Sequence, residues 1–169
     1  MNNQAEHWIF NQFSLLPAGS WVLEVGCGSC DLTRRLAANF PLRVIGSDIH
    51  AWGMRPAAFH DARERKGKSF FVVADVLNLG FKNVAFQAVF SVISFHHAPD
   101  PQKACLEMGR VLRKGGTLLL VDWAYGAKTG VPERYFRPQE IKALLEHAAF
   151  QNISIEIIGE QLFVWAEKF

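Results

Sequence analysis

Two glycines and an aspartate further along the chain have the types and spacing of a nucleotide-binding site. Gly26 and Gly28 follow a short apolar run at 21–25 and precede a helix-like segment that starts at Asp31. Glycine lets the backbone turn tightly and approach a ligand without a Cβ in the way. Asp48 ends the next apolar run, 22 residues after Gly26, a spacing at which a carboxylate accepts hydrogen bonds from ribose hydroxyls. The pattern predicts a ligand with an adenosine-like part.

The charges around this turn indicate which nucleoside ligand it binds. A dinucleotide places its pyrophosphate at the helix N-terminus and requires Gly or Ala three positions after the second glycine. Asp31 stands at that position, and its carboxylate suits the helix dipole but would repel a pyrophosphate. Glu24 adds a second negative group beside the turn. S-adenosylmethionine carries no phosphate and has a positively charged sulfonium, so we expect it in preference to a dinucleotide.

The rest of the chain predicts the elements that would position these residues. Strand-like apolar runs lie at 21–25, 43–45, 70–74, 88–94 and 117–122, and helix-like segments lie between them at 31–39, 52–65 and 101–112. This alternation is typical of a parallel sheet covered by helices on both faces. Pro138 opens another helix, and the runs at 153–158 and 162–166 are close enough to form a hairpin. We therefore expect an α/β fold with a doubly wound, Rossmann-like sheet of seven strands, mostly parallel, with an antiparallel strand in the C-terminal hairpin.

Several segments, in order, resemble the motifs of class I S-adenosylmethionine-dependent methyltransferases. They are Glu24-Val-Gly-Cys-Gly28, Gly46-Ser-Asp48-Ile49, Ala74-Asp75-Val76, the stretch from Ala88 through Ser94-Phe95-His96-His97 to Pro101, and the stretch from Met108 to Gly116. The group resembled most is the small-molecule group of ubiquinone/menaquinone type, also called methyltransferase type 11. The resemblance is most specific over residues 20–122. It implies methyl transfer from S-adenosylmethionine to a small-molecule acceptor, with S-adenosylhomocysteine as the product.

The same resemblance implies a role for each residue of a cofactor site at the strand ends. Glu24, Gly26, Cys27 and Gly28 would lie beside the methionine part, Asp48 at the ribose hydroxyls, Ile49, Asp75 and Val76 at the adenine, and the Ser94 and Phe95 backbone at the methionine ammonium. One residue departs from the pattern, because Cys30 stands where the family has its third glycine. That substitution narrows the space near the cofactor.

His96 and His97 are the candidate catalytic residues, because they follow the fourth strand, where the resembled family places groups that face the transferable methyl. A hydroxyl or amine acceptor needs a base, and histidine is the commonest one. The alternative is that the pair caps or packs against the helix introduced by Asp100 and Pro101. No cluster of His, Cys and Asp has the spacing of metal ligands, so we expect no metal.

The chain has three cysteines, an odd number that does not suggest a disulfide framework and predicts reduced thiols. Cys27 and Cys30 have the spacing of a redox pair at a strand-to-helix turn, which is an alternative reading. The glycines and aspartates around them favour the nucleotide site, so we expect the two cysteines to be small filling residues. Cys105 is expected in the core.

Composition limits the kinds of protein this chain can be. Its 169 residues are 50% hydrophobic and 20% charged, which predicts one folded domain over 1–169 rather than a disordered protein. The net charge of +2 is too small for nucleic acid binding by phosphate neutralisation alone. No apolar run has the length of a membrane span. The first residues lack the basic start and apolar core of a signal peptide, so we expect a cytoplasmic location.

Few residues of the chain lie outside the segments that carry the motifs. We expect residues 1–19 to form a helical lid and residues 20–169 to form the core. The aromatic residues of the lid, Trp8, Phe10 and Phe13, fall where members of the resembled family build the acceptor pocket, and the alternative is that they only pack against the core. The acceptor site would then be shallow, or a second copy or a partner subunit would complete it. An alternative function is a protein that binds S-adenosylmethionine without transferring its methyl group and serves as a partner or regulatory subunit.

Overall fold

The computed structural model describes residues 3–51, 66–130 and 132–169, and these residues form one seven-stranded sheet. The strands are β1 (Trp21–Val25), β2 (Arg43–Asp48), β3 (Lys68–Val73), β4 (Phe86–Val92), β5 (Leu112–Trp123), β6 (Phe150–Ile158) and β7 (Gln161–Lys168). They lie side by side in the order β3-β2-β1-β4-β5-β7-β6. Strands β1 to β5 pair in parallel, whereas β7 is antiparallel to both β5 and β6. The predicted α/β fold is confirmed.

In the described part of the chain, four α-helices cover the two faces of this sheet. They are α1 (Asn3–Phe13), α2 (Asp31–Asn39), α3 (Pro101–Val111) and α4 (Pro138–His147). Successive side chains of a strand point to opposite faces, so Val22 packs in the core with α1 and α2, whereas Leu23 packs in the core with α3 and α4. The helix predicted at 52–65 lies outside the described residues. No described helix has both the length and the apolar character that crossing a bilayer requires.

Local sequence signals account for where α3 and α4 begin. Each helix has a proline in its first turn, where the missing N–H costs nothing. The Asp100 side chain caps α3 by accepting a hydrogen bond from the Lys103 N–H at 3.0 Å. In α4, Glu140 accepts from the Arg137 N–H at 2.8 Å. Both starts agree with the sequence prediction.

The start of β5 differs from the prediction. The sequence predicts a helix over 101–112 and a strand from Thr117, but β5 already begins at Leu112. Leu112 pairs with Phe86, and the register then shifts before Ala88 pairs with Thr117. A Cβ on Gly116 would lie 3.0 Å from the Gln87 carbonyl oxygen. The glycine therefore lets this irregular strand start pass close to β4.

Helix α1 lies against a face of the sheet. Its Ala5, Ile9 and Phe13 are at most 2% exposed. The Phe13 ring packs edge-on against Phe90 of β4, with centroids 5.1 Å apart. The buried side of the helix is thus part of the hydrophobic core.

Candidate functional site

A cleft of about 350 Å³ opens at the carboxyl ends of the parallel strands. It lies at the end of β1, which has β2 as its neighbour on one side and β4 on the other. The strand order therefore changes direction at β1: β2 and β3 follow on one side of it, and β4 and β5 follow on the other. Ligands of open α/β sheets bind at such a switch point. Eight residues predicted from the sequence line the cleft: Gly26, Asp48, Ile49, Asp75, Val76, Ser94, Phe95 and His97.

Gly26 forms one wall of the cleft where β1 ends. Its φ of +74° lies in the left-handed region, which glycine adopts without strain. A Cβ at this position would lie 1.7 Å from the Ser94 Oγ, so the segment after β4 passes directly against the turn. The N–H groups of Gly26 and Cys27 both donate to the Ser47 carbonyl, at 2.8 and 3.0 Å, which ties the turn to β2.

Asp48 is held in the cleft by two backbone donors. Its Oδ2 accepts from the Gly28 N–H at 2.8 Å, and its Oδ1 accepts from the His50 N–H at 3.0 Å. A carboxylate oxygen can accept more than one hydrogen bond, so each oxygen keeps capacity for a ligand hydroxyl. The arrangement therefore fits a pair of neighbouring hydroxyls, as on a ribose.

The next wall of the cleft combines apolar surface with a second carboxylate. Ile49 is 57% exposed, an unusual fraction for a large aliphatic side chain, and it offers a surface that a flat ring can cover. Asp75 follows β3, and its Oδ1 accepts from the Leu77 N–H at 2.8 Å. Val76 lies beside it on the cleft wall. These residues suit a base that carries an amino group.

Glu24 lies beneath the turn and is absent from the described lining of the cleft. It is 3% exposed and accepts a hydrogen bond from the Thr33 hydroxyl on α2. Burial raises the pKa of its carboxyl group from an ordinary 4.5 to about 7. The side chain thus supports the turn from the α2 side.

Cys27 and Cys30 form a disulfide bond, which corrects the expectation of reduced thiols for this pair. Cys30 has a φ of 56°, and its N–H donates to the Cys27 carbonyl at 2.6 Å, so the turn brings the two Cα atoms to 4.5 Å. This separation is within the range that a disulfide spans. Cys105 is free and buried, as predicted, and burial raises the pKa of its thiol to about 12.

The two candidate histidines lie side by side, with ring centroids 3.9 Å apart, but they differ in exposure. His97 is exposed and lines the cleft, whereas the His96 side chain is 2% exposed. The His96 Nδ1 lies 2.7 Å from the Asp122 Oδ1, and the His96 N–H donates to the Asp122 Oδ2 at 2.9 Å. Burial lowers the pKa of the His96 imidazole, but the hydrogen bond to Asp122 and the charges of Asp122 and Glu133 raise it more, so the net shift is upward.

Sequence reasoning missed Asp122 and Glu133 as neighbours of His96. Asp122 lies near the carboxyl end of β5, which pairs with β4. Knowing that these two strands are neighbours would have placed Asp122 beside the segment after β4. Glu133 lies in the connection between β5 and α4, and no local pattern marks it. Its Oε1 is 3.7 Å from the His96 Nε2.

The residues of the cleft fit S-adenosylmethionine better than a phosphate-bearing cofactor. Among the described lining residues there are two carboxylates and no lysine or arginine. Such a set favours a cation and hydroxyl groups and gives a pyrophosphate no cationic partner. A larger depression of about 570 Å³ lies between α4 and the connection that precedes it, away from the strand-end carboxylates.

Comparison with known proteins agrees with this chemistry. Residues 23–120 match the family model described as a methyltransferase domain. The 2-methyl-6-phytyl-1,4-hydroquinone methyltransferase of Synechocystis sp. is 32% identical over 141 residues, which cover 82% of this chain and 44% of the relative. The tRNA (carboxymethyluridine(34)-5-O)-methyltransferase of Xenopus tropicalis is 34% identical over 155 residues, or 89% of this chain and 22% of the relative. The chain thus spans less than half the length of these two relatives.

A solved structure shows the same fold. Phosphoethanolamine N-methyltransferase 2 of Haemonchus contortus, in complex with S-adenosyl-L-methionine, superimposes with a TM-score of 0.82 at 18% identity, covering 98% of this chain and 52% of the other. The family match extends over more than half of the chain and includes the turn at Gly26, Asp48, Asp75 and the segment after β4. The chain belongs to the methyltransferase-domain family, that of the class I S-adenosylmethionine-dependent methyltransferases, and S-adenosylmethionine is its cofactor.

Proposed function

We propose that this protein transfers a methyl group from S-adenosylmethionine to a small-molecule acceptor. The observation that carries the proposal is the Asp48 carboxylate, which two backbone N–H groups hold at the switch point of the sheet, in a cleft whose described lining has no lysine or arginine. In this assignment Asp48 binds the ribose hydroxyls. Ile49, Asp75 and Val76 bind the adenine, and Gly26 with the Ser94 and Phe95 backbone receives the methionine part.

When bound, S-adenosylmethionine supplies a methyl group on a positively charged sulfur. The protein's own task is to align the acceptor with that group and to exclude water. His97 is the side chain best placed to act on the acceptor, since it lines the cleft and follows β4. His96 lies behind it, with ring centroids 3.9 Å apart, and is anchored by Asp122. We assign His97 to the acceptor proton and His96 to the positioning of His97.

The size and charge of the molecule support a small acceptor. The residues assigned to S-adenosylmethionine line a cleft of about 350 Å³, at the lower end of the range for small-molecule sites, so the bound cofactor leaves little of it for an acceptor. The Synechocystis relative is named for a hydroquinone substrate, so phenols and quinols are the first acceptors to test. The Xenopus relative is named for tRNA, but a net charge of +2 gives this chain little general attraction for a phosphate backbone.

The test has two steps. Calorimetric titration with S-adenosylmethionine, S-adenosylhomocysteine and NADH should show binding of the first two and none of NADH. Incubation with S-adenosylmethionine labelled on its methyl group and a panel of quinol, phenol, amine and thiol acceptors should then give a labelled small molecule. Binding of NADH without S-adenosylmethionine would overturn the cofactor assignment. Tight binding without transfer to any acceptor would favour a non-catalytic partner instead.

A further inference from the structure

Three side chains of the types that bind metal ions meet beside the cleft. They are His96 and His97, which follow β4, and Glu133 in the connection between β5 and α4. One potential ligand atom of each lies within 4.8 Å of the other two. The His96 Nε2 and the Glu133 Oε1 are 3.7 Å apart. We call these three residues the His-His-Glu cluster.

The hydrogen bonds of His96 define which of its nitrogens is available. The Asp122 carboxylate accepts at 2.7 Å from Nδ1, so we assign the proton of the neutral ring to that nitrogen. Nε2 then carries a lone pair and faces the Glu133 carboxylate, which also offers only lone pairs. A histidine whose Nδ1 donates to a carboxylate while Nε2 is free has the arrangement common among metal-ligating histidines.

Two acceptor atoms of the cluster are buried without a donor. Within the described part of the chain, no hydrogen-bond donor reaches the His96 Nε2 or the Glu133 Oε2, and both atoms are inaccessible to solvent. Buried polar atoms without a partner are rare and each costs free energy. The His96 Nε2 also lies 3.7 Å from the other oxygen of the same carboxylate, Oε1, so a positive charge between the ring and the carboxylate would satisfy both groups. A proton on Nε2 or a metal cation supplies that charge, and only the metal cation can also bind the neighbouring His97 imidazole.

Glu133 is held in place independently of its contact with His96. The next residue, Arg134, donates from its Nη1 to the Ala98 carbonyl at 2.8 Å. Ala98 lies two residues after His96 and one after His97, so the connection that carries Glu133 is docked on the same segment as the two histidines. The cluster therefore has three ligand groups brought together by contacts outside the cluster.

We propose that the His96 Nε2, the His97 imidazole and the Glu133 carboxylate bind one divalent transition-metal ion of the zinc type. Two histidines and one carboxylate form the ligand set of several catalytic zinc and iron(II) sites, in which at least one position stays open. His97 also lines the cleft, so the ion would lie at its edge. This role rests on the proposed function: the ion would lower the pKa of a bound acceptor hydroxyl, whose proton would leave to solvent. With the ion bound, His97 would be its ligand, and this route would replace the direct proton transfer to His97 assigned above.

The experiment uses the untagged full chain after treatment with a chelator. Titration with Co²⁺, followed by visible absorption, should show binding of about one ion per chain, and Zn²⁺ should displace it. The spectrum should lack a thiolate-to-cobalt charge-transfer band, which excludes Cys27 and Cys30 as the ligands. Glu133→Gln should weaken Co²⁺ binding at least about tenfold, and Asp122→Asn should weaken it by roughly 10- to 100-fold.

Glu146→Gln is the matched control, since Glu146 lies on α4 with an exposed side chain and pairs with Lys142. Its Co²⁺ affinity should equal that of the wild type. Glu133 is a suitable test position because its side chain is 21% exposed, so its replacement leaves the core intact. The absence of cobalt binding, equal binding by the Glu133 and Glu146 variants, or a thiolate band would each overturn the proposed site.

Calorimetry with S-adenosylmethionine separates this proposal from the proposed function. If the metal-free protein binds S-adenosylmethionine but neither the wild type nor any variant binds Co²⁺, the proposed metal site is wrong and the cofactor assignment stands. If Co²⁺ binds with the expected variant pattern and S-adenosylmethionine does not bind, the site stands and the proposed function is wrong.

Discussion

The space beside Gly26 is filled by Ser94: a Cβ on the glycine would lie 1.7 Å from the Ser94 Oγ and 2.6 Å from its Cβ. The two residues are far apart in sequence, but each follows one of two neighbouring parallel strands, β1 and β4, and so they meet at the same edge of the sheet. The turn and the segment after β4 thus form one wall of the cleft. A change in either residue should affect ligand binding by the other.

Gly26→Ala should weaken S-adenosylmethionine binding by roughly 10- to 100-fold, because a strained backbone conformation costs about 1–3 kcal/mol and the new methyl group must displace Ser94. Calorimetric titration measures the change. Ser94→Gly in the Gly26→Ala background should restore part of the affinity. Gly19→Ala is the control, since Gly19 has a φ of +80° but no atom within 4 Å of the added Cβ. Wild-type affinity in Gly26→Ala would show that the contact does not shape the site.

Asp48→Asn should weaken the binding of S-adenosylmethionine by about 1.5–3 kcal/mol, the loss of binding free energy expected when hydrogen bonds to a charged group are removed. The variant keeps the size of the side chain but has only one acceptor oxygen for the backbone donors and the ribose. Asp31→Asn is the control, because Asp31 is 67% exposed and pairs with Arg34 at 2.8 Å, away from the described lining of the cleft. Equal affinities for the two variants in calorimetry would contradict the ribose assignment.

Glu24→Gln tests the raised pKa of the buried carboxyl group. The pKa is 4.5 ordinarily and about 7 in the folded protein, so the folded state binds more protons between these values. The contribution of Glu24 to stability is therefore complete at low pH and is lost as the pH rises through 7. Glutamine is uncharged at every pH. We therefore compare the free energy of unfolding of the variant with that of the wild type at each pH. The difference, variant minus wild type, should increase by about 3 kcal/mol from low pH to a pH well above 7, since one pKa unit corresponds to about 1.36 kcal/mol.

Urea unfolding of both proteins at pH values on either side of this transition measures the effect of Glu24→Gln. Glu146→Gln, which changes an exposed side chain, should show no comparable pH-dependent difference. A constant difference between wild type and Glu24→Gln across this range would mean that Glu24 keeps an ordinary pKa in the folded protein.

Phe13→Ala should lower the free energy of unfolding by about 3–5 kcal/mol, the usual cost of removing a buried phenylalanine. Phe13 is 2% exposed and packs on Phe90 of β4, so α1 belongs to the cooperative core. Leu15→Ala is the control, because Leu15 is 82% exposed and its loss should change stability by at most about 0.5 kcal/mol. A small effect of Phe13→Ala in urea unfolding would indicate that α1 is attached only loosely.

The fold and most of the cleft could be predicted because their signals are local. The apolar runs have the length of strands, and Pro101 and Pro138 mark helix starts that the structure confirms. In a parallel sheet the carboxyl ends of the strands lie at one edge, so residues that follow successive strands converge there whatever the details of packing. This is why Gly26, Asp48 and Asp75, which are distant in the sequence, line one cleft.

The orientation of individual side chains could not be predicted in the same way. Glu24 turns towards Thr33 beneath the turn, and Cys27 bonds to Cys30, because of the left-handed backbone of the turn and the position of α2. Neither feature follows from residue spacing alone. A strand pattern gives the face on which a residue lies, but not the partner that its polar atoms find.

The sequence by itself therefore determined the number and mostly parallel direction of the strands and the family of cofactor, since these depend on periodicity, on glycine and on the position of carboxylates after strands. Only the tertiary structure decided that the neighbouring rings of His96 and His97 differ in environment, with one ring buried against Asp122 and the other on the cleft. It also brought Glu133 from a connection without a motif to 3.7 Å from the His96 Nε2. These contacts depend on which strands are neighbours and how a long connection folds back, and both are set by packing over the whole chain rather than by any local segment.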